Sequence, residues 1–438
     1  MRIINPPMPT VQGVCGDQKY RSGVQYRPSK HCISVQCEEG TLVYHTLTGA
    51  LSLLLPNGEM PEKTRQGLIR GWYLVPEDFN ERKHADDVKN IVRMLQPKGP
   101  EKTDFTILTT TDCNARCFYC YELGFKRISM SGETARVAAE YIARACGGKP
   151  VRLRWFGGEP LYNRDAIDTI CGVLQKHGVS YESSMVSNGY YLDGATVKKA
   201  VDDWHLKKVQ ITIDGTEEIY NRTKAYIDAE GNPYATVMDN IQFALQAGIT
   251  VTIRLNMDAR NAEDLLLLLD NIGARFRGHE KLNGYVALLR EFKGTIHRHE
   301  SETQTELAFF ALRDKMSGMG LLRRKKLPTE MKINRCMADN NVCETILPDG
   351  RVGRCEHFSE EMVTGDIWSA ARDAEVETKW KAPLYVPECG ECALYPQCTK
   401  LSLCEWNRDG CDKLDRSVRI IDLKRKMIEA YQVYNKER

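Results

Sequence analysis

The rhythm of apolar and polar positions changes three times along the chain. Residues 1–30 show no sustained period and are punctuated by Pro, Gly and Ser, which predicts an irregular lead-in. "HCISVQCEEGTLVYHTLTGALSLLL" then alternates, with turn signals at Glu39-Gly40 and Thr48-Gly49, and predicts two or three short strands. In "ERKHADDVKNIVRMLQ" the apolar residues fall at helical spacing, up to Pro97 and Gly99. These stretches predict a small α+β module over residues 1–100.

From Asp104 short apolar runs alternate with amphipathic ones. Strands are predicted at "FTILTT", "VRLRWFGG", "YESSMVSNG", "KKVQITIDG", "TVTIRLN" and "GYVALLR". The helices between and after them are predicted from Ser131 to Ala145, Arg164 to His177, through Lys198 to Trp204, Ala235 to Ala247 (after a long loop), in "AEDLLLLLDNI" and in "ETQTELAFFALRDKM". Strict alternation argues for parallel strands with right-handed crossovers. Six units over residues 101–327 fall short of a closed eight-stranded barrel, so the expected class is α/β, an open partial (β/α)6 barrel of the TIM type. Chemistry in such folds sits at the carboxyl ends of the strands. Cys113, Gly157, Asn188, Asp214 and Asn256 fall there. Over residues 328–413 the periodicity fades, and residues 414–438 are expected to form an amphipathic C-terminal helix.

A length of 438 residues predicts two or three domains. The 61 basic and 59 acidic residues leave a net charge of +2, with no global field favouring nucleic acid or an anionic membrane. The basic run "RRKK" (323–326) reads as a solvated helix end. No apolar run approaches the ~20 residues that span a bilayer. "MRIINPPMPT" has no signal-peptide layout, so a cytoplasmic protein is expected, without nucleic-acid or membrane partners. In that compartment sixteen cysteines point to metal rather than disulfides.

Eight of them lie in the aperiodic stretch, and three more in "TTTDCNARCFYCYE" as Cys113, Cys117 and Cys120. A closed zinc site takes four ligands, usually as two close pairs. Three thiolates at i, i+4 and i+7 can instead reach three irons of one 4Fe–4S cluster and leave the fourth iron open. A zinc site completed by a distant fourth ligand is the alternative.

Cys-x3-Cys-x-aromatic-Cys after the first strand, with "FGGEP" after the second, resembles the radical S-adenosylmethionine (radical SAM) superfamily, over about Asp104 to Lys315. The resemblance implies that Cys113, Cys117 and Cys120 hold a 4Fe–4S cluster whose open iron binds S-adenosylmethionine. Around that ligand, Gly157 and Gly158 would let backbone approach closely, and Glu159 would meet its ammonium. Ser187 and Asn188 suit the ribose hydroxyls, Arg254 the carboxylate, and Tyr119 the adenine. Asp214 in "TIDGTEE" is a reserve candidate.

"Cys336-x13-Gly350-x4-Cys355" and "Cys389-x2-Cys392-x5-Cys398" resemble the superfamily's SPASM extension, which carries auxiliary clusters. This implies one 4Fe–4S cluster on Cys336, Cys343, Cys355 and Cys404, a second on Cys389, Cys392, Cys398 and Cys411, and three clusters in all. Ser402 stands where the pattern expects a cysteine, and Cys404 is the nearest replacement. Without Cys343 the nearer cluster would have an open iron. A zinc ribbon is the alternative for Cys389 and Cys392. Glu356, next to Cys355, resembles the acidic base of related maturases. Cys15, Cys32, Cys37, Cys146 and Cys171 read as structural.

The resemblance suggests a maturase that crosslinks a ribosomally made precursor peptide through a thioether or carbon–carbon bond. The N-terminal module would take the peptide's leader by strand addition along "HCISVQCEEGTLVYH", or would only cap the barrel. A flavodoxin- or ferredoxin-like protein would supply electrons. The alternatives are an anaerobic sulfatase-maturing enzyme, against which the late start of the triplet counts, an enzyme acting on a quinone-cofactor peptide, and a non-catalytic iron–sulfur carrier or scaffold.

Overall fold

The computed structural model describes all residues except 57–59, 96–98, 259, 290–301, 323–325, 358–361, 370, 405–406, 408–409 and 438. Pro97, Arg290 at the end of "GYVALLR" and the start of the basic run thus lie outside the described residues.

The first hundred residues fold as β1 (Arg2–Asn5), α1 (Pro9–Cys15), β2 (Tyr26–Pro28), β3 (Cys32–Cys37), β4 (Gly40–His45), β5 (Leu51–Leu54), α2 (Glu62–Arg70), β6 (Leu74–Pro76) and α3 (Glu81–Met94). Four strands form an antiparallel sheet in the order β1-β5-β4-β3, so β3, within the stretch expected to accept an extended peptide, is an end strand. The lead-in is not wholly irregular, since it holds β1, α1 and β2. Elements of 4 and 7 residues are too short to display a period. Asn80 caps α3 by accepting the Lys83 N–H at 3.0 Å.

His45 is buried in this module, with Nε2 3.2 Å from the Ser29 hydroxyl and Nδ1 accepting the Thr48 N–H at 3.2 Å. Burial, with the neighbouring His31 and His84, holds it well below its ordinary 6.5. A base depressed in the fold contributes stability above its unfolded pKa and loses it as pH falls below that value. The module is therefore expected to open first as pH drops below 6.5. Limited proteolysis at pH 7.5 and pH 5.5 (about one unit either side) checks this. His45→Gln should flatten the difference.

The middle of the chain runs β7 (Asp104–Thr110), α4 (Gly132–Ala145), β8 (Val151–Gly157), α5 (Arg164–Lys176), β9 (Tyr181–Ser187), α6 (Gly194–Asp202), β10 (Leu206–Thr212), α7 (Glu217–Lys224), α8 (Pro233–Gln246), β11 (Thr250–Met257), α9 (Ala262–Phe276), β12 (Leu282–Leu288) and α10 (Glu302–Gly318). The six strands are parallel neighbours in sequence order. Their alternation decides the faces. Val151, Leu153 and Trp155 are buried in one core with Ala135, Ile142, Ile167 and Ile170 of the covering helices, while Arg152 and Arg154 are exposed on the opposite face. Helix starts follow their caps: Ser131 accepts the Thr134 N–H at 3.0 Å and Asp193 the Thr196 N–H at 2.8 Å. The third helix therefore begins at Gly194 and ends before Trp204, earlier than expected. The long loop after β10 contains α7.

Between residues 328 and 412 regular structure returns where the periodicity fades, as β13 (Cys343–Ile346), β14 (Arg351–Gly353), β15 (Gly365–Asp366) and α11 (Ala374–Lys381), and the expected C-terminal helix is α12 (Lys413–Lys436). β13 pairs parallel to β7, with Cys343 opposite Asp104, so one open sheet runs β12-β11-β10-β9-β8-β7-β13-β14-β15. The fold is α/β with a parallel sheet that does not close among the described residues, compatible with a partial barrel. α12 returns to the N-terminal module, where Leu423, Met427 and Tyr431 share a core with Leu42, Tyr44, Leu51 and Leu53. Among the described residues no helix is long and apolar enough to cross a membrane.

Candidate active site

The loop leaving β7 carries Cys113, Cys117 and Cys120, each partly buried. It is held at several points. The Cys113 N–H donates to Asp112 Oδ1 at 2.8 Å, the Cys120 N–H to the Cys117 carbonyl at 3.1 Å, and the Arg116 N–H to the Lys224 carbonyl at 2.8 Å. Burial pushes Cys113 up to about 12 and Cys120 up to about 11, with each neighbouring thiol adding to the shift at Cys113. As isolated thiols these groups are neutral; they bind metal only after losing their protons.

The Gly-Gly-Glu turn after β8 is bonded onto this loop. The Gly158 N–H donates to the Thr110 carbonyl and the Glu159 N–H to the Asp112 carbonyl, both at 3.0 Å. The Glu159 carboxylate is fully buried, and accepts the Leu161 N–H at 3.1 Å, the Ser187 hydroxyl at 2.9 Å and the Asn188 N–H at 2.7 Å. Burial outweighs these bonds and raises it to about 7. A carboxylate has about four acceptor positions, so one on Oε2 stays open to an ammonium. Ser187 also accepts the Gly189 N–H, and Asn188 Nδ2 reaches Asn114 Oδ1 at 2.7 Å and Cys113 Sγ at 3.9 Å. Asn188 thus ties the end of β9 to the cysteine loop, and Ser187 ties it to the Gly-Gly-Glu turn.

Arg254 on β11 is half-buried, and its Nε donates to Asn256 Oδ1 at 2.8 Å. Its register partners are Thr212 and Tyr285, at the carboxyl end of the inner sheet face. Tyr119 directs its hydroxyl into the protein. Its hydroxyl donates to Asp214 and accepts from Lys224 Nζ at 3.0 Å, which commits the polar edge of the ring to a buried network. Asp214 and Lys224 form an ion pair of 2.9 Å with side chains 2% and 3% exposed, under the loop that holds the triplet. Burial opposes the ammonium, but Asp214 and Tyr119 hold it well above its ordinary range. Removing one partner of such a pair leaves an uncompensated charge. Lys224→Met is therefore expected to cost about 3–5 kcal/mol, read as a lower urea midpoint, with Asp214→Asn/Lys224→Met recovering part of the loss.

The segment after β14 closes over the loop. His357 packs edge-on against Tyr121 at 4.0 Å between centroids, its N–H 3.3 Å from Cys355 Sγ. Burial lowers its affinity for a proton, Glu356 raises it, and Arg254 lowers it, so all three stand within electrostatic reach. Glu356 is half-buried and its Oε2 has no partner among the described residues. The neighbouring Glu122, buried and bonded by the Tyr121 hydroxyl at 2.9 Å, is raised by burial to about 7. Its place beside the triplet was the only sequence signal for it.

The other cysteines gather in two groups. Cys336 and Cys404 act electrostatically on Cys355, which burial, then Glu356, hold well above its usual value. Cys343 begins β13, where burial and then Asp104 raise it to about 11 while Arg354, Arg152 and Arg154 act against them. In the second group Cys392 and Cys398 act on both Cys389 and Cys411. Arg354 organises the first loop, donating from a fully buried position to the carbonyls of Ala338, Cys343 and Asn340 at 3.1, 3.1 and 2.9 Å. Among the described residues no three His, Cys, Asp or Glu side chains close on a single-ion site. Thiols sharing one loop and one another's field fit a cluster that takes one thiolate per iron.

Residues 107–272 match the family model described as the Radical SAM superfamily. The chain carries a radical SAM domain. This superfamily is one of enzymes, and its fold implies S-adenosylmethionine and a 4Fe–4S cluster. Around the domain, the chain is 26% identical over 272 residues to a probable GTP 3',8-cyclase of Archaeoglobus fulgidus, covering 61% of this chain and 84% of that one. It is 31% identical over 173 residues to the GTP 3',8-cyclase of Rhodopirellula baltica, 38% of this chain and 45% of that one. Two solved structures share the fold. One is anSMEcpe with bound AdoMet and Cp18Cys peptide, with a TM-score of 0.56, 15% identity, and 76% and 99% of the two chains covered. The other is Streptococcus suis SuiB bound to precursor peptide SuiA, with a TM-score of 0.52, 11% identity, and 88% and 95% covered.

Proposed function

We propose that this radical SAM protein is a peptide maturase, which abstracts hydrogen from a ribosomally made precursor peptide and forms a thioether or carbon–carbon crosslink. The observation that carries this reading is the inner sheet face. Arg152, Arg154, Glu182 and Lys208 are exposed there and Arg254 half-exposed, a polar trough below the cysteine loop that suits an extended chain. The two peptide-bound structures sharing the fold support it, as does β3 as an end strand for a leader.

In this reading Cys113, Cys117 and Cys120 hold the 4Fe–4S cluster, with Gly157 and Gly158 letting ligand approach backbone. The open position of Glu159 takes the ammonium of S-adenosylmethionine and the terminal amines of Arg254 its carboxylate. When bound and reduced there, the cluster would supply one electron to the sulfonium of S-adenosylmethionine for homolytic cleavage and hydrogen abstraction. Glu356, with its unpartnered oxygen, takes a proton from the peptide. Cys389, Cys392, Cys398 and Cys411 hold one auxiliary cluster. Cys336, Cys343, Cys355 and Cys404 would hold the other, and without Cys343 that cluster would keep one iron open. A flavodoxin- or ferredoxin-like protein is the proposed donor. A sulfatase-maturing activity is a variant of this reading, since it too acts on a peptide side chain. The non-catalytic carrier loses its ground with the enzyme domain.

The second reading, cyclisation of a purine nucleotide, rests on the relatives named GTP 3',8-cyclase. The Cys389→Ala/Cys392→Ala variant tests the first. It is expected to release 5′-deoxyadenosine as the parent does and to form no crosslinked peptide, because the electron left by substrate oxidation has no acceptor. Normal peptide product from a soluble variant lacking that cluster would refute the acceptor role.

A further inference from the structure

The N-terminal module is seated on the second auxiliary cysteine loop. Ala85, Val88 and Val92 of α3 share an apolar cluster with Ile333 and Tyr395, with Cys389 and Cys392 packed against it. Asp86 accepts the Tyr395 hydroxyl at 2.9 Å, and Gln397 Nε2 donates to the Tyr44 hydroxyl and the Thr46 carbonyl at 3.0 and 2.8 Å. Into this seam α3 also sends Lys89, which is 5% exposed. Among the described residues no hydrogen bond or ion pair holds its ammonium, whose tip is not fully buried and keeps a contact with water. A buried charge is ordinarily paired or hydrogen-bonded.

The charges around Lys89 deepen the problem. Arg93 and Arg335 both converge on Asp339, at 3.8 and 3.9 Å, and that carboxylate, 1% exposed, already accepts the N–H groups of Arg335 and Cys336 at 2.9 Å each. Lys89, Arg93 and Arg335 thus face Asp339, with Asp86 as the other acid of the seam, beside Cys336 and Cys398. Burial, then the two arginines, lower Lys89 to about 8, with Asp339 and the Cys398 thiol acting the other way. The pocket has an excess of positive charge and is short of an anion. Four thiolates on an iron–sulfur cluster give a net negative group, and reduction adds one more negative charge.

We propose that this anion is the cluster held by Cys389, Cys392, Cys398 and Cys411, and that Lys89 is a positioning residue supplying its counter-charge from the N-terminal module. The inference rests on the auxiliary-cluster reading above. It makes the module part of the redox site, whatever its role in peptide capture. A positive charge beside a negative cluster favours the reduced form, so its loss moves the potential to more negative values.

The test uses the full chain carrying Cys113→Ala, Cys117→Ala and Cys120→Ala, so that only auxiliary iron remains, and reads midpoint potentials by redox titration. In that background Lys89→Met is expected to lower one auxiliary potential, with a tenfold fall in the reduced-to-oxidised ratio corresponding to about 59 mV for one electron. Lys89→Arg should restore it, and Asp339→Asn should move a potential the opposite way. If Lys89→Met loses iron while Lys89→Arg keeps it, the charge requirement stands. Unchanged potentials at full iron content, or equal iron loss in Lys89→Met and Lys89→Arg, would overturn the proposal. A background protein that takes up no iron would instead overturn the auxiliary-cluster reading on which it rests.

Discussion

Replacing Cys113, Cys117 and Cys120 together by Ala is expected to reduce anaerobically reconstituted iron from about twelve to about eight per chain, in steps of one four-iron cluster, and to abolish cleavage of S-adenosylmethionine. The three thiols share one loop between β7 and α4, and Cys117 and Cys120 both add to the field at Cys113. The remaining groups are held by different segments. Cys355 follows β14, and Cys389 to Cys398 are anchored by Tyr44, Thr46 and Asp86 of the N-terminal module. Among the described residues the anchoring of Cys389 to Cys398 does not run through the β7 loop, and the Cys355 segment meets that loop through the ring of Tyr121 rather than through its thiols, so the auxiliary iron should survive. Removing metal ligands can also remove folding energy, which is why iron and the urea midpoint are to be measured on the same sample. Stoichiometric zinc and no iron in the parent protein would contradict the assignment.

Gly157→Ala and Gly158→Ala are expected to be nearly as damaging without touching a ligand. A Cβ on Gly158 would lie 2.2 Å from the Asp112 carbonyl oxygen, and one on Gly157 2.1 Å from that of Thr110. Gly157 also has φ +121°, where side chains are strained. Neither carbonyl is free to retreat, since Thr110 accepts the Gly158 N–H and Asp112 the Glu159 N–H. Each substitution therefore has to pull the β8 turn off the cysteine loop. The expected loss is on the order of 3–5 kcal/mol, seen as a lower urea midpoint, together with loss of S-adenosylmethionine binding by equilibrium dialysis. An unchanged midpoint would mean that the turn moves freely and that the glycines do not fix the site.

Much of this site is legible in the sequence because its parts are local. The triplet lies within one loop, Gly157 to Glu159 within one turn, and the barrel strands show their buried face in the alternation of Arg152 and Arg154 with Val151, Leu153 and Trp155. What escapes the sequence depends on partners far away in it. β13 is only 4 residues long and becomes a strand by lying against β7. Lys224 reads as an ordinary helix-end lysine until Asp214 and Tyr119 are found around it. Arg354 looks like a surface residue in "RVGRCEH", yet three backbone carbonyls and burial make it the hub of its loop. Lys89 sits on an amphipathic helix whose buried face is defined by a cysteine loop about 300 residues later. The direction of the Tyr119 hydroxyl escapes the sequence for the same reason, since Asp214, about a hundred residues later, receives it.

The central claim is that the radical chemistry of this chain is spent on a peptide. The most direct test incubates the reduced, reconstituted full-length protein with S-adenosylmethionine and, in parallel, with short peptides encoded beside its gene or with GTP. Mass spectrometry and 5′-deoxyadenosine yield are read on each sample. The account predicts a peptide that loses a pair of hydrogens as a crosslink forms, with 5′-deoxyadenosine rising in step and GTP left intact. Conversion of GTP, with every peptide returned unchanged, would contradict it.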